Sequence, residues 1–567
     1  MSNADVAVNT ASPRSYLQQV LHVAITSCYA IDISLDQVHL ETPGNPDHGD
    51  FATNIAMKLA KEVKRAPRGI AEAIVGALDT EPDRISGVDI AGQGFINFHL
   101  GPRWLTDILL EIEAADERFG ASDFGKGKHI QVEFVSANPT GPLSVGHGRQ
   151  AVIGDTISRL LEWTGHKVTR EYYFNNAGTQ MEALGESVYA RYMELLGHAY
   201  PFPENGYQGD YIRELAQNII DEFGETRVGR HGQGDLDFFK DAAEAMMFGI
   251  IRHTLDRLGI SFDVYYNETS LYESGRIQKV IDTLRERGYA YEKDGATWFK
   301  ATSFGIDQDR VIVRSKSKTG MPTYRLPDIA YHQHKFERGF DHIVDIFGAD
   351  HHQTYQDVRA GIEALGCDIS KLTTVIHQFV TLMRDGNVVR MSKRAANFVT
   401  VEELLDEAGL DVTRFFILMR SHNSHLNFDL DLAKEESDKN PVYYVQYAHA
   451  RTVNILKHAQ EQGYDGIPAQ EADLALLDTP EEAALIKTVG ALPEMIEGAT
   501  LAYEPHRMTG FLRDVASALH TFYFNHKVVR DDQPLALTQS RLILINATRI
   551  VLRNGLSVIG VSAPDKM

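Results

Sequence analysis

Cysteine is almost absent: Cys28 and Cys367 are the only two in 567 residues, and they lie far apart. That argues against a disulfide framework and against a cysteine-rich zinc site. A reducing cytoplasm is the expected setting. No uninterrupted run of about 18 apolar residues is present, so a membrane span is not expected. The N-terminal MSNADVAVNTASPRS has no charged-then-apolar signal pattern. Cationic charge is also short. Lys and Arg number 56 against 78 Asp and Glu, a formal net charge of −22. This disfavours non-specific coating of nucleic acid, but not a shaped RNA surface, because RNA affinity rests on local phosphate contacts. The run from Gly120 to Gly127 nearly forms a P-loop, yet Gly127 stands where Ser or Thr is needed and the run precedes a strand. A P-loop is therefore set aside.

What remains is organised into several blocks, and the length suggests three or four domains. Residues 1–118 read as an α/β module with helical patterns at 14–30 and 67–79 and a closing strand at 94–98. The glycine-rich, polar stretch 119–128 marks a boundary. Residues 119–395 read as a Rossmann-like, doubly wound parallel-sheet domain. Its strands are expected at 130–136, 168–174, 262–266, 310–314 and 342–347, with a helix at 145–163. A helical insertion at about 179–258 is broken by Pro201 and Pro203. Residues 378–391 read as a hairpin turning at Asp385-Gly386. A connecting region, 396–435, leads to a C-terminal all-α bundle, 436–567.

Residues 131–163 carry the densest chemistry. An apolar strand enters a Pro/Gly-rich turn with Ser144-Val145-Gly146-His147, then an amphipathic helix. A helix N-terminus with unsatisfied N–H groups is a ready phosphate site. Gly146 permits close approach of a nucleotide, and His147 in the first turn can donate to phosphate. Far downstream, Met391-Ser392-Lys393-Arg394 follows the hairpin and offers a second, cationic phosphate grip. Two such elements around one ATP point to adenylate-forming chemistry, in which positioning and charge stabilisation supply most of the catalysis.

The two elements resemble the signatures of class I aminoacyl-tRNA synthetases. Further segments, VEFVSANPTGPLSVGHGR (132–149), YYFNNAGTQ (172–180), TYRLPDIAYH (323–332), FGADHHQ (347–353), RMSKRAANFVTVEELLDEAG (390–409) and NPVYYVQYAHAR (440–451), resemble arginyl-tRNA synthetases across essentially the whole chain. Two positions depart from the pattern: Ser144 stands where a histidine is usual, and Arg390 where a lysine is. Ser144 suits a helix N-cap, and Arg390 keeps the charge without the compact ammonium.

The resemblance implies that ATP meets Ser144, Gly146, His147, Met391, Ser392, Lys393 and Arg394, with His147 and Lys393 catalytic. It implies an arginine site of Glu133, Asn138, Glu268, Tyr324, Asp328 and His352. A guanidinium offers five donors on a flat, permanent cation, so carboxylates and an apolar wall suit it. Asp328 and Glu268 are assigned to that group and Tyr324 to the wall. Glu133 and Asn138 are assigned to the α-amino group, with His352 at the α-amino or carboxylate end. The histidines 332, 334, 342, 351 and 352 fit no common zinc spacing, so no zinc is expected, whereas magnesium should arrive with ATP. The implied RNA partner is tRNA(Arg). Its core would meet Phe95, Asn97 and Phe98, and its anticodon the C-terminal bundle through Tyr443, Tyr447, Arg451 and Arg530. A cytoplasmic monomer is expected.

Overall fold

The computed structural model describes residues 13–567 apart from 32, 42, 44, 46, 47, 177, 178, 230–232 and 390–398. Its contacts divide the chain into two compact units. One comprises Met1–Glu117, Ile455–Gly490 and Ala518–Ile550; the other comprises Arg118–Asn454, Ala491–Ser517 and Val551–Met567. The C-terminal helices are thus shared out between the units.

In the first unit, strands β1 (Phe51–Thr53), β2 (Ile85–Ala91) and β3 (Phe95–Leu100) form an antiparallel sheet in the order β1-β3-β2. Helix Pro13–Tyr29 buries Leu17, Leu21, Ala24 and Ile25, a 3.6-residue apolar stripe. These side chains pack with Ile96 and Phe98 of β3 in one core.

The second unit is built on a five-stranded parallel sheet of β4 (His129–Glu133), β5 (Lys167–Phe174), β6 (Val264–Asn267), β10 (His342–Gly348) and β11 (Leu372–His377). Its order is β11-β10-β4-β5-β6. Helix Val145–Trp163 makes the crossover from β4 to β5, and a Cβ at Gly154 would come within 2.2 Å of Phe134. Glycine there is what lets helix and sheet approach. The insertion between β5 and β6 is helical, as expected, with helices Thr179–Leu195, Asp210–Phe223 and Gln233–Arg257 sharing their own core.

One expected strand sits elsewhere. The run at 310–314 supplies β9 (Arg310–Val313), which belongs to a separate antiparallel sheet with β7 (Ala290–Lys293) and β8 (Ala296–Phe299). A short apolar run reads alike in either sheet, and only the tight β7–β8 turn reveals a meander rather than a crossover. The edge strand that completes the parallel sheet is β11, whose threonines gave a weak apolar signal. The hairpin at Asp385-Gly386 is present, formed by β12 (Val380–Arg384) and β13 (Asn387–Val388). Both turn residues have positive φ, 52° and 71°, as a two-residue hairpin loop requires. Strand β14 (Leu426–Asp429) joins β12 in parallel.

One helix, Leu535–Val558, is long and apolar enough by length and composition to cross a membrane, and 67% of its apolar window is buried inside the protein. Its Arg541 donates to the fully buried Glu482 at 2.8 Å, which suits a core helix of this fold.

Candidate active site

The winding of the parallel sheet reverses at β4, with β5 on one side and β10 on the other. In doubly wound sheets, ligands bind in the crevice opened by such a reversal, at the carboxyl ends of the strands. Glu133 ends β4 there, and Gly348 ends β10.

The chain leaves β4 through a strained turn. Val135 and Ser136 have φ of 68° and 40°, and Ser136 N donates to Phe134 O at 3.0 Å. A β-branched residue at positive φ costs on the order of 1–3 kcal/mol, so the surroundings must hold it. They do. Ser136 Oγ donates to Glu133 Oε1 at 2.8 Å and accepts from Tyr173 N at 3.0 Å. The buried Tyr172 hydroxyl donates to Ala137 O at 2.7 Å. Asn138 follows directly and donates to Gln180 Oε1 at 2.7 Å.

Six residues on, Ser144 is the N-cap of helix Val145–Trp163, with φ −76° and ψ 163°. His147 turns its Nδ1 back to accept from Ser144 N at 3.2 Å. That bond comes from the backbone of residue 144; the serine side chain adds its own contact, with Oγ 3.3 Å from the same nitrogen. A Cβ at Gly146 would meet Ser144 Oγ at an ordinary 3.7 Å. Protein packing alone does not demand glycine there.

The stretch expected to form the second phosphate grip, Arg390 to Arg394, lies outside the described residues. Its flanks are well placed. Past it, Val401 N donates to Leu143 O at 2.8 Å and Thr400 forms an antiparallel bridge with Ser144. Thr400 and Glu403 form a capping box that fixes this exit, with Thr400 N donating to Glu403 Oε2 at 2.7 Å and Glu403 N to Thr400 Oγ1 at 3.0 Å. Before it, the hairpin is held by Arg149, a fully buried residue of the same helix. Its guanidinium donates to the carbonyls of Gln378 (2.7 Å), Phe379 (3.2 Å), Ser421 (3.0 Å) and Ser424 (2.8 Å). Burial pulls its pKa down to about 10. Both ends of the second motif are thus tied to the helix that carries His147. Arg149 was not singled out from the sequence, although it lies in the quoted segment 132–149. Arg149→Lys should lower unfolding stability in urea by about 2–4 kcal/mol, because one ammonium cannot satisfy four buried carbonyls.

The expected guanidinium site is a cluster of acids and tyrosines. Glu268 is buried and accepts from the Tyr173 hydroxyl at 2.7 Å. Asp328 lies in the first turn of helix Arg325–Glu337. Among the described residues, no ion pair or side-chain hydrogen bond engages its carboxylate. Burial pushes the Asp328 carboxyl up to about 7, and the charges of Glu268 and Glu133 add to the effect while His332 and Lys335 oppose it. Burial also raises Glu268, and it pushes the Tyr272 hydroxyl up to about 12, with Glu268 and Asp328 contributing. Tyr324 is the N-cap residue of that helix and is 55% exposed, with the Arg325 guanidinium 4.8 Å from its ring centre. His352 begins a helix, and its side chain lies outside the described set.

Below this cluster sits a buried knot of charge. Lys335 Nζ bonds Glu133 Oε2 and, at 2.6 Å, Asp345 Oδ1. Asp345 Oδ2 lies 2.9 Å from His332 Nε2, and His332 Nδ1 lies 2.7 Å from Asp328 O. Glu133, His332 and Asp345 could together hold a metal ion by proximity, but the Lys335 ammonium supplies the cation. The other histidines of the cluster have separate partners: His334 meets the Tyr266 hydroxyl and His342 the Thr373 hydroxyl, each at 2.8 Å.

The expected RNA contacts divide by burial. Phe98 is fully buried in its module core and Asn97 is 5% exposed. RNA cannot reach them without opening that core, so both are corrected to structural residues; Phe95 is half-buried and stays accessible. Tyr443 and Tyr447 stack at 6.2 Å with an 8° angle, and the Arg451 guanidinium lies 4.8 Å over Tyr447. Their i, i+4, i+8 spacing makes a half-exposed ladder on one helix face. Arg530 pairs with Asp532 at the surface.

Comparison with known proteins agrees with this geometry. The class I (R) tRNA synthetase catalytic domain matches residues 111–448, the arginyl-tRNA synthetase N-terminal domain 15–100, and the DALR anticodon-binding domain 445–567. An arginine–tRNA ligase of Desulfotalea psychrophila is 52% identical over 93% of this chain and 94% of its own. That of Geobacillus kaustophilus is 47% identical over 97% and 98%. The Thermus thermophilus arginyl-tRNA synthetase structure superposes with a TM-score of 0.75 at 20% identity, covering 98% of this chain and all of that one; it attests the fold. With its doubly wound parallel sheet, its acidic crevice and relatives that match it nearly end to end, the chain belongs to the arginine–tRNA ligase family of class I aminoacyl-tRNA synthetases.

Proposed function

We propose that this protein joins arginine to tRNA(Arg) in two steps. An arginine carboxylate oxygen attacks the α-phosphorus of ATP, the bond to the pyrophosphate oxygen breaks, and arginyl-adenylate forms. A terminal ribose hydroxyl of the tRNA then attacks the arginyl carbonyl, its proton is lost, and AMP leaves. No general base is needed in the first step, because the substrate carboxylate is already ionised. The protein positions the reactants and offsets charge.

In this reading, His147 and the cap at Ser144 and Gly146 hold ATP at one end, and Met391, Ser392, Lys393 and Arg394 grip its outer phosphates. Magnesium comes with the nucleotide. Asp328 and Glu268 take the guanidinium, Tyr324 covers it, and Asn138 and His352 serve the α-amino and carboxylate end. Both oxygens of Glu133 are engaged by Lys335 and Ser136, so Glu133 acts by ordering the turn that presents Asn138. The Tyr443–Tyr447–Arg451 ladder and Arg530 are offered to the anticodon side of the tRNA, and the setting is a cytoplasmic monomer.

The observation that carries the reading is the Asp328–Glu268 pair: two acids raised by burial, Asp328 also by the charge of Glu268, with the Tyr272 hydroxyl responding to both, where a bound guanidinium would relieve them. Lysine is rejected because an ammonium cannot serve the same fork of acceptors. The test is pyrophosphate exchange into ATP, with and without tRNA, and tRNA charging across all amino acids. Arginine alone should support both. Activity with another amino acid, or tRNA binding with no turnover, would overturn the reading.

A further inference from the structure

The helical insertion between β5 and β6 touches the turn that carries Asn138 at two points. From helix Thr179–Leu195, Gln180 Oε1 accepts from Asn138 Nδ2 at 2.7 Å. From helix Asp210–Phe223, the half-buried Tyr211 hydroxyl donates to Thr140 O at 2.7 Å. Thr140 N in turn donates to Asn138 O at 2.8 Å, which closes the turn on itself. A Cβ at Gly141 would lie 3.2 Å from the Tyr211 hydroxyl, so glycine is what lets the phenol lie against the turn.

Both side chains stand on a firm base. Gln180 precedes Met181 and Tyr211 precedes Ile212, and these two neighbours are buried together in the insertion's own core. A Cβ at Gly185 would come within 2.9 Å of the Lys240 backbone, so the first and last helices of the insertion pack closely. Tyr207 N donates to Ser187 Oγ at 2.9 Å, tying the loop before helix Asp210–Phe223 to the first helix. The chemistry of the Asn138 amide makes the first contact matter. An α-ammonium only donates, so an asparagine can serve it only through its oxygen. Which end of an amide faces a ligand is decided by the partner at its other end. Here Gln180 takes an N–H of Asn138, and among the described residues no protein group engages Asn138 Oδ1.

We propose that Gln180 and Tyr211 are positioning residues for the amino acid: they hold the Asn138–Thr140 turn so that Asn138 meets the α-ammonium of arginine with its amide oxygen. The inference rests on the proposed activation of arginine, with Asn138 at the α-amino end. It gives the insertion a part in amino-acid recognition that needs no contact between either residue and the substrate. A reversed Asn138 amide would set N–H against N–H, so losing the acceptor at Gln180 weakens arginine through the α-amino group alone.

The test uses the full-length protein and the variants Gln180→Leu, Gln180→Glu and Tyr211→Phe. Gln180 is exposed, so neither change there threatens folding. KM values for arginine and ATP are measured by pyrophosphate exchange in the presence of tRNA. Inhibition by desamino-arginine, which keeps the guanidinium and carboxylate but lacks the α-amino group, is measured alongside. Gln180→Leu should raise the KM for arginine roughly tenfold, about the worth of one hydrogen bond to a charged group. The KM for ATP and the inhibition constant of desamino-arginine should stay at the parent values. Gln180→Glu can only accept, so its KM for arginine should lie within about twofold of the parent's. Tyr211→Phe should shift arginine in the same direction by roughly threefold, again sparing the analogue. Equal losses for arginine and desamino-arginine, a Glu variant as weak as the Leu variant, or a Leu or Phe variant that matches the parent overturns the proposal. A parent protein that does not exchange pyrophosphate in response to arginine would instead remove the activity on which it rests.

Discussion

Asp328→Asn should cut kcat/KM for arginine by roughly 100- to 1,000-fold, the consequence of removing one partner from a buried charge pair. The same change should leave the protein at least as stable. Unfolded, the carboxyl titrates near 3.9; folded, burial holds it at about 7, with Glu268 and Glu133 adding repulsion. Between those values the native state binds more protons than the unfolded one. The contribution of Asp328 to stability therefore falls as pH climbs from about 4 to 7 and stays unfavourable above. Asparagine removes that burden, so at pH 8 the variant should gain up to about 4 kcal/mol, three pKa units at 1.36 each. Thermal unfolding at pH 8 measures this, and a drop in midpoint would show that Asp328 supports the fold instead. The parent should show the complementary pH dependence in binding. Arginine requires the ionised carboxylate, so below about 7 its KM should rise about tenfold per pH unit. The profile should flatten above 7, and Asp328→Asn should abolish the steep limb. A parent KM that is level from pH 5 to 8 would remove Asp328 from the guanidinium contact.

Glu268 and Asp328 were singled out through the family resemblance, and the four-residue spacing of Tyr324 and Asp328 adds only that these two can share a helix face. The charge that Glu268 and Glu133 exert on Asp328 was not legible, since it depends on how close β4, β6 and the Arg325–Glu337 helix come in space. The helix Val145–Trp163 was legible as a strand, a Pro/Gly turn and an amphipathic run. Ser144 as N-cap follows from the same local rule. Arg149 escaped notice because its partners are backbone carbonyls of residues more than two hundred positions away, and carbonyls leave no sequence signal. The strained Val135 turn escaped for a related reason. Nothing in the letters Phe-Val-Ser announces a positive φ, and it is Tyr172, Tyr173 and Glu133 that impose it. The misplacement of 310–314 in the parallel sheet and the RNA assignment of Phe98 share one cause. A short alternating strand reports its period but neither its sheet nor which of its faces meets the core.

Lys335 is the other residue whose loss should be severe. It is fully buried and touches carboxylates from two adjacent strands, Glu133 of β4 and Asp345 of β10. Burial alone would lower its pKa; Asp345 and Glu133 reverse that and raise it. Asp345 is likewise held below its ordinary range, with Lys335 and then His332 outweighing the opposing effect of burial. Lys335→Met would leave two carboxylates facing each other in a dry interior. The expected cost is about 3–5 kcal/mol, the range for breaking a buried pair from one side. The sign of the pH response should also invert. In the parent, Asp345 is depressed, so its contribution is present above about pH 4 and is lost as pH falls through its folded value. In the variant His332 is the remaining partner of that carboxylate, at 2.9 Å, and the cluster of acids favours an added proton, so stability should increase as pH drops from 8 to 5. Lys335→Met/Asp345→Asn, which removes both charges, should recover part of the loss and flatten the slope. If the single variant keeps the parent's slope, the ammonium is not what neutralises Asp345. Because Glu133 also anchors the Ser136 turn, the double variant should raise the KM for arginine while leaving that for ATP near the parent value. An equal rise in both would mean that Lys335 braces the whole crevice rather than the arginine end of it.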